Sequence, residues 1–501
     1  NDVSTVKESS VVLVVVVVVL YHPILESDFA GDFEKQQHKQ QQFDVDQSLK
    51  FPRQLREMLT KMIKVLALIT SVAAAANVPI SGADAEPNPP QWPESVSVFH
   101  PGDSTIASKV AAAFAENGGH GSANHGQFSS ARFAFFFKPG TYTDDIPMGY
   151  YTQVLGLGTS PGDTVFTGHK GVYSEEGDFG GGGALCSFWR GAENFRTSAT
   201  HQWDKGVGMM WAVSQGTMLR SVQVDNDLVL QEHSGYASGG YISNMKVGGT
   251  VQAGSQQQWF CRNSDITKWN GTGWNIVFVG VDGAPPTHCG NINGNPFTTV
   301  DQTPLISEKP YITIDTTGKF SLQIPKPKTS SSGNDFNQAV TSVPFDQVYV
   351  TQVSDSAATI NAKLSMGLHV VVSPGIYNLT QPLQLNHTGQ VLLGIGYATL
   401  VSANQNSVIE VASGVDDVRI GGLLLQAGKP VTGKTPPDLL VWGSAAYSGK
   451  ASLPGVISDV FARIGGPDGT PDAPVAASSM FNIKSGNVIG DNMWLWRADH
   501  A

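Results

Sequence analysis

Two stretches of this chain repeat one another 235 residues apart. Residues 133–158 read FAFFFKPGTYTDDIPMGYYTQVLGLG, and residues 369–396 read HVVVSPGIYNLTQPLQLNHTGQVLLGIG. Both run from an apolar strand through Pro-Gly-x-Tyr to a second strand, then Gln-Val-Leu and a Gly-x-Gly. A gapped match of this length implies duplication of a whole structural unit. Each copy follows a short helical pattern, at 105–116 (TIASKVAAAFAE) and 357–366 (AATINAKLSM). A helix placed there would cover the apolar end of a strand stack and its unpaired backbone groups.

After each Gly-x-Gly come short β-rich segments at irregular spacing, among them 217–230, 239–249 and 274–281 in the first half, then 407–413, 417–427 and 487–498 in the second. No further long amphipathic helix interrupts them. The 55 glycines in 501 residues exceed the usual share of about 7%. Charged residues are only 15%, against roughly 25% in an average domain. Many short strands joined by tight turns produce both biases. The expected fold is all-β: two tandem right-handed parallel β-helices, each with an N-terminal capping helix and a continuous core of alternate residues. A β-sandwich is the alternative.

The predicted domains are a disordered or mis-assigned extension at 1–57, a signal peptide at 58–76 and a Pro-rich leader at 77–94. A first β-helix with its connecting hairpin follows at 95–330, and a second at 331–501. Met58 and Met62 beside Lys61 and Lys64, then VLALITSVAAAA at 65–76 with an A-x-A site before Asn77, make the three parts of a secretory signal. An ordinary buried helix is the competing reading. VVLVVVVVVL at 11–20 is too short to span a bilayer, which takes about 20 apolar residues. The hairpin is centred on Thr317-Gly318, and a Pro- and Ser-rich linker follows it.

The sequons at Asn270, Asn378 and Asn386 agree with export. The chain is therefore expected outside the cell or in a cell wall, with no membrane span in the mature protein, and as a monomer. A net charge of −11 and the lack of a basic stripe argue against nucleic acid. Cys261 and Cys289 could pair, leaving Cys186 over, or all three could remain free thiols. No spacing suggests a metal, and no cofactor is expected. GGGG at 180–183 lacks the Lys-Ser/Thr of a phosphate loop.

PGTY at 139–142, PGIY at 374–377, QVLGLG at 153–158 and QVLLGIG at 390–396 resemble the pectate-lyase-like superfamily. Residues 95–501 look most like its twin β-helix members, the exo-β-1,3-glucanases of glycoside hydrolase family 55. The resemblance implies a polysaccharide substrate and a catalytic glutamate late in the second helix. The chain reads as stopping in mid-domain after WLWRADH, so no residue here is assigned that role, and the fragment could be inactive.

Glycoside hydrolysis uses two carboxyl groups, about 5–5.5 Å apart for retention or about 6.5–9.5 Å for inversion. In VQVDND at 222–227, a single strand would put Gln223, Asp225 and Asp227 on one face. Positions i and i+2 then lie about 6.6 Å apart. Asp225 and Asp227 are thus candidate catalytic groups, with Glu232 and His233 nearby. The competing reading is a turn, with Asn226 in an asparagine ladder. In DNMWLWRADH at 491–500, Met493 and Leu495 alternate with Trp494 and Trp496. If the first pair faces the core, both indoles face outward as a platform for a sugar ring. Arg497 and His500 would join them as substrate contacts, and Asp499 as a further catalytic candidate. Alternatively, the tryptophans pack against a further coil. Trp269 and Trp274 read as packing.

Three functions compete. The leading one is a secreted glycoside hydrolase acting on a β-glucan-like polysaccharide. The others are a polysaccharide lyase on uronic acids, which needs a cation and a basic residue, and a non-catalytic wall-binding protein.

Overall fold

The structure is a computed structural model that describes residues 85–118, 126–175, 183–231, 237–254, 256–271, 273–287, 296–467 and 474–498. The predicted extension and signal peptide, with Glu232, His233, Cys289, Asp499 and His500, lie outside the described residues. The described part is mostly β, and both repeats pair their strands in parallel. A sandwich of antiparallel layers is not what forms.

The first stack follows one ladder, from Val96–Phe99 through Phe133–Phe137, Thr152–Gly156, Arg190–Thr197, Met218–Val224, Gly240–Ser243, Gln258–Arg262 and Asn275–Val279 to Phe297–Val300. The register sets one inward column: Phe135, Val154, Ala192, Leu219, Ile242, Cys261 and Phe278. All seven belong to one buried cluster. Because side chains alternate across a strand, the next residue of each points outward. Asn194 and Ser221 within their strands, and Asn244 and Asn263 just past theirs, all take positive φ, at 58°, 51°, 52° and 44°. Short polar side chains tolerate this left-handed corner, and the Asn244 amide donates to Ser221 Oγ at 2.8 Å. Asn226 is not part of this column; its amide donates to the Ala199 carbonyl at 2.8 Å.

In the second stack the chain visits three parallel sheets in turn. Six strands form the first, from Val348–Val350 to Val488–Asp491. Five form the second, from Ile376–Leu379 to Leu495–Arg497, and four form the third, from Leu383–Leu385 to Ser479–Ser485. The inward column is Val370, Leu392, Ile420 and Ile457.

Helix α1 (Ile106–Asn117) and helix α2 (Ala357–Ser365) match the expected positions. Each turns an apolar stripe into its own core: Ile106, Val110 and Ala113 in α1, and Ala357, Ile360 and Leu364 in α2. Ser356 Oγ caps α2 by accepting from the Thr359 amide at 3.1 Å.

The repeat is physical as well as textual. Tyr142 and Tyr377 are both 1% exposed. Each donates to the carbonyl four residues back, Lys138 at 2.7 Å and Ser373 at 3.0 Å, closing the same turn.

Two expectations change. The hairpin forms between Tyr311–Ile314 and Phe320–Pro325. The stretch after it is no free linker, however, because Lys328–Ser331 pairs antiparallel with Thr303–Ile306 and Val340–Pro344 pairs with Phe320–Pro325. The Pro-rich leader also docks where it is described. Asn88 exchanges two hydrogen bonds with the Phe320 backbone, and Trp92 packs on Phe136, Phe320 and Phe345.

Candidate functional site

The two stacks meet along their equivalent outward columns. On the first stack the column is Phe136, Leu155, Glu193, Arg220, Ser243 and Arg262. On the second it is Val371, Leu393, Gly421, Ser458 and Asp491. The early rungs are apolar, and Phe136 and Leu155 share a buried cluster with Val371 and Leu393. The later rungs are charged.

Arg220 donates to Asp459 from Nε and Nη2, both at 2.7 Å, and to Asp491 Oδ2 from Nη1 at 2.9 Å. Arg262 donates to Asp491 at 3.0 and 2.9 Å, and to both Glu308 oxygens at 2.7 Å. Lys309 lies 3.0 Å from Asp459 and also pairs with Glu193. Asp459 is itself a corner residue, with φ of 52°. Burial raises the Asp459 and Asp491 carboxyls, but the facing cations outweigh it and hold both below the usual carboxylate range. Burial pushes the Tyr241 phenol up, so it stays protonated and donates to Asp491 Oδ1 at 2.8 Å.

Immediately after Asp491 comes the Trp-rich segment. Asn492, with φ of 63°, turns the corner into Leu495–Arg497. Met493 and Leu495 pack on the second core, so Trp494 and Trp496 point outward as the alternation predicts. Their rings stack at 4.8 Å and 14°, half-buried. Trp494 lies 5.0 Å from Trp189 and 5.2 Å from Phe188, and Trp496 lies 6.1 Å from Phe188. An aromatic seam of Tyr150, Tyr151, Phe188 and Trp189 from the first stack thus meets Tyr397, Phe461 and the tryptophan pair from the second. Arg463 Nη1 donates to the Tyr151 hydroxyl across it at 2.9 Å. Gly216 is required here: at φ of 67° a Cβ would lie 2.7 Å from Trp189 and 2.8 Å from Trp494. Arg497 is exposed.

The expected Asp225–Asp227 strand does not form. Met218–Val224 ends before Asp225, and the next strand is Asp227–Val229, so a corner separates the two carboxylates. Asp225 accepts from Arg196 Nε at 3.0 Å and from Gln223 at 3.0 Å. Asp227 accepts from the backbone amides of Thr250 at 2.7 Å and Val207 at 3.2 Å. Asp227 thus takes backbone amides at its corner, whereas Asp225 is held by an ion pair with Arg196 and a side-chain bond. Trp269 is core packing against Phe278, whereas Trp274 is 68% exposed. Cys261 is a free buried thiol, pushed up to about 12 by burial. Asn270, Asn378 and Asn386 are all exposed.

Sequence reasoning missed Phe188, Trp189, Gly216 and the ion network. A signal for the network was present. Glu193-Asn194, Arg220-Ser221, Ser243-Asn244 and Arg262-Asn263 repeat one pattern, an outward polar residue followed by a left-handed corner.

Residues 348–501 match the LAM55 pectate lyase-like domain. An exo-beta-1,3-glucanase of Streptomyces sp. (strain SirexAA-E / ActE) is 36% identical over 434 residues, which are 85% of this chain and 66% of that protein. The solved structure of sacteLam55A from Streptomyces sp. SirexAA-E superposes with a TM-score of 0.73 at 34% identity, over 83% of this chain and 72% of that one. A glutamate-to-alanine variant of sacteLam55A in complex with glucose matches with the same score and identity, over 71% of its chain. The chain thus spans about two thirds of the length of the curated relative that it matches, and it belongs to the pectate-lyase-like family of glycoside hydrolase family 55.

Proposed function

We propose that this protein is a secreted glycoside hydrolase that cleaves a β-1,3-glucan by carboxylate acid/base catalysis. In this reading its two stacks are tandem right-handed parallel β-helices. Parallel strands joined by crossovers within one sheet are right-handed in about 98% of cases, which supports the hand. The relative's printed name, exo-beta-1,3-glucanase, supports the substrate class and action from a chain end.

The observation that carries the reading is the stacked Trp494–Trp496 pair, half-exposed where the two stacks meet. The uncovered ring surface of such a stacked pair suits the apolar face of a neutral sugar ring. Arg497 would contact hydroxyls at its edge, and His500 would extend the contact. Asp499, three residues beyond Trp496 in the sequence, is the proposed acid/base group within the chain. Asn270, Asn378 and Asn386 are the proposed glycan acceptors of the exported protein.

The test is incubation with laminarin. Release of reducing sugar with no new ultraviolet absorbance supports hydrolysis. An unsaturated, absorbing product would instead mean a lyase, and binding without any product would mean a wall-binding protein.

A further inference from the structure

We infer that the buried ion network positions the tryptophan pair: Arg220, Arg262 and Tyr241 of the first stack act through Asp491 and Asn492 to fix where Trp494 and Trp496 lie. This rests on the proposed glucan-binding role of the pair.

Asp491 ends its strand three residues before Trp494, so the intervening chain spans at most about 11 Å. Both carboxylate oxygens of Asp491 are taken by groups from the first stack. Oδ1 receives Tyr241 Oη and Arg262 Nε, and Oδ2 receives Arg220 Nη1 and Arg262 Nη2. Its backbone carbonyl also accepts from Arg220 Nη2 at 3.3 Å. Asn492 adds two anchors, donating to the Thr217 carbonyl at 2.9 Å and to Asp459 Oδ1 at 2.6 Å. Thr217 follows Gly216, the residue whose bare Cα lies beneath Trp189 and Trp494. The corner that launches the tryptophans is therefore registered against the surface they stack on. A network serving only to join the stacks would need no contacts at this corner. Guanidinium forks fix direction as well as charge, which makes them suited to positioning.

The experiment compares full-length native protein with Asp491→Asn, Asn492→Gly and Trp496→Ala. Laminaritriose binding is measured by calorimetry, and the indole pair is followed by its circular-dichroism couplet, identified as the native signal lost in Trp496→Ala. Asn492→Gly keeps the left-handed corner and removes only the side-chain anchors. We expect a weakened couplet and about tenfold weaker binding in both Asp491→Asn and Asn492→Gly. An unchanged couplet and unchanged binding in folded Asn492→Gly would overturn positioning, and this variant decides the matter if Asp491→Asn does not fold. If Trp496→Ala binds the trisaccharide like the native protein, the glucan-binding reading fails, while the couplet still reports on positioning.

Discussion

Arg220 of the first stack and Asp459 of the second form a two-pronged ion pair, with both bonds at 2.7 Å and both side chains buried. Arg220 belongs to the outward column of the first stack, and Asp459 is the corner residue that follows Ser458 in the outward column of the second. The two outer faces thus carry complementary charge where they meet.

The pair also predicts a stability effect. Asp459→Asn leaves the buried Arg220 and Lys309 cations without a full partner. Removing one member of a buried pair costs about 3–5 kcal/mol. Urea unfolding should show a midpoint lowered accordingly, and Asp459→Leu with Arg220→Met should recover much of the loss. An Asp459→Asn protein as stable as native would show that the interface is hydrated.

His369 gives a pH dependence. Burial lowers it to about 4, and its Nδ1 accepts the Val391 amide at 3.1 Å, which requires the neutral ring. In the unfolded chain it titrates near 6.5. Below that value the unfolded state binds a proton that the folded state refuses, so stability is complete above about 6.5 and falls as the pH drops toward 4. The slope is about 1.4 kcal/mol per pH unit. Denaturation series with native and His369→Gln protein should differ in slope over this window alone. Asp459 and Asp491, held low, weaken the fold only at still more acid pH.

Equivalence of the repeats is testable through their tyrosines. Tyr142→Phe and Tyr377→Phe each delete a buried hydroxyl bond to the carbonyl four residues back, and each should cost about 0.5–1.5 kcal/mol. Because Tyr377 Oη also bonds Thr351 Oγ1 at 2.7 Å, its loss should be the larger, and the reverse order would contradict equivalence of the turns.

Gly216→Val should distort the aromatic seam. The new side chain meets two indoles in a left-handed backbone, a strain of about 1–3 kcal/mol. The expected result is weaker laminaritriose binding together with a lower melting temperature. Unchanged binding would place the sugar elsewhere.

Much of the fold was legible because the PGxY turns, the GxG corners and the helical stripes of α1 and α2 are local patterns. Each depends on residues within a few positions of one another. The seam was legible only on one side. Alternation turns Trp494 and Trp496 outward, but their partners Phe188 and Trp189 lie some 300 residues earlier in the chain. No periodicity links such distant segments. The shared face expected of Asp225 and Asp227 did not form for a related reason: spacing of two implies one face only while the strand continues, and the strand ends at Val224. Glu193, Arg220 and Arg262 read as isolated charges until register stacked them into one column.

The most direct test of the account is titration of laminaritriose into native, Trp494→Ala and Trp496→Ala protein while following tryptophan fluorescence. A saturable change is expected in the native protein, and each deleted ring should weaken binding by more than about 1 kcal/mol while the fold is retained. Native-like affinity in both variants would contradict the account.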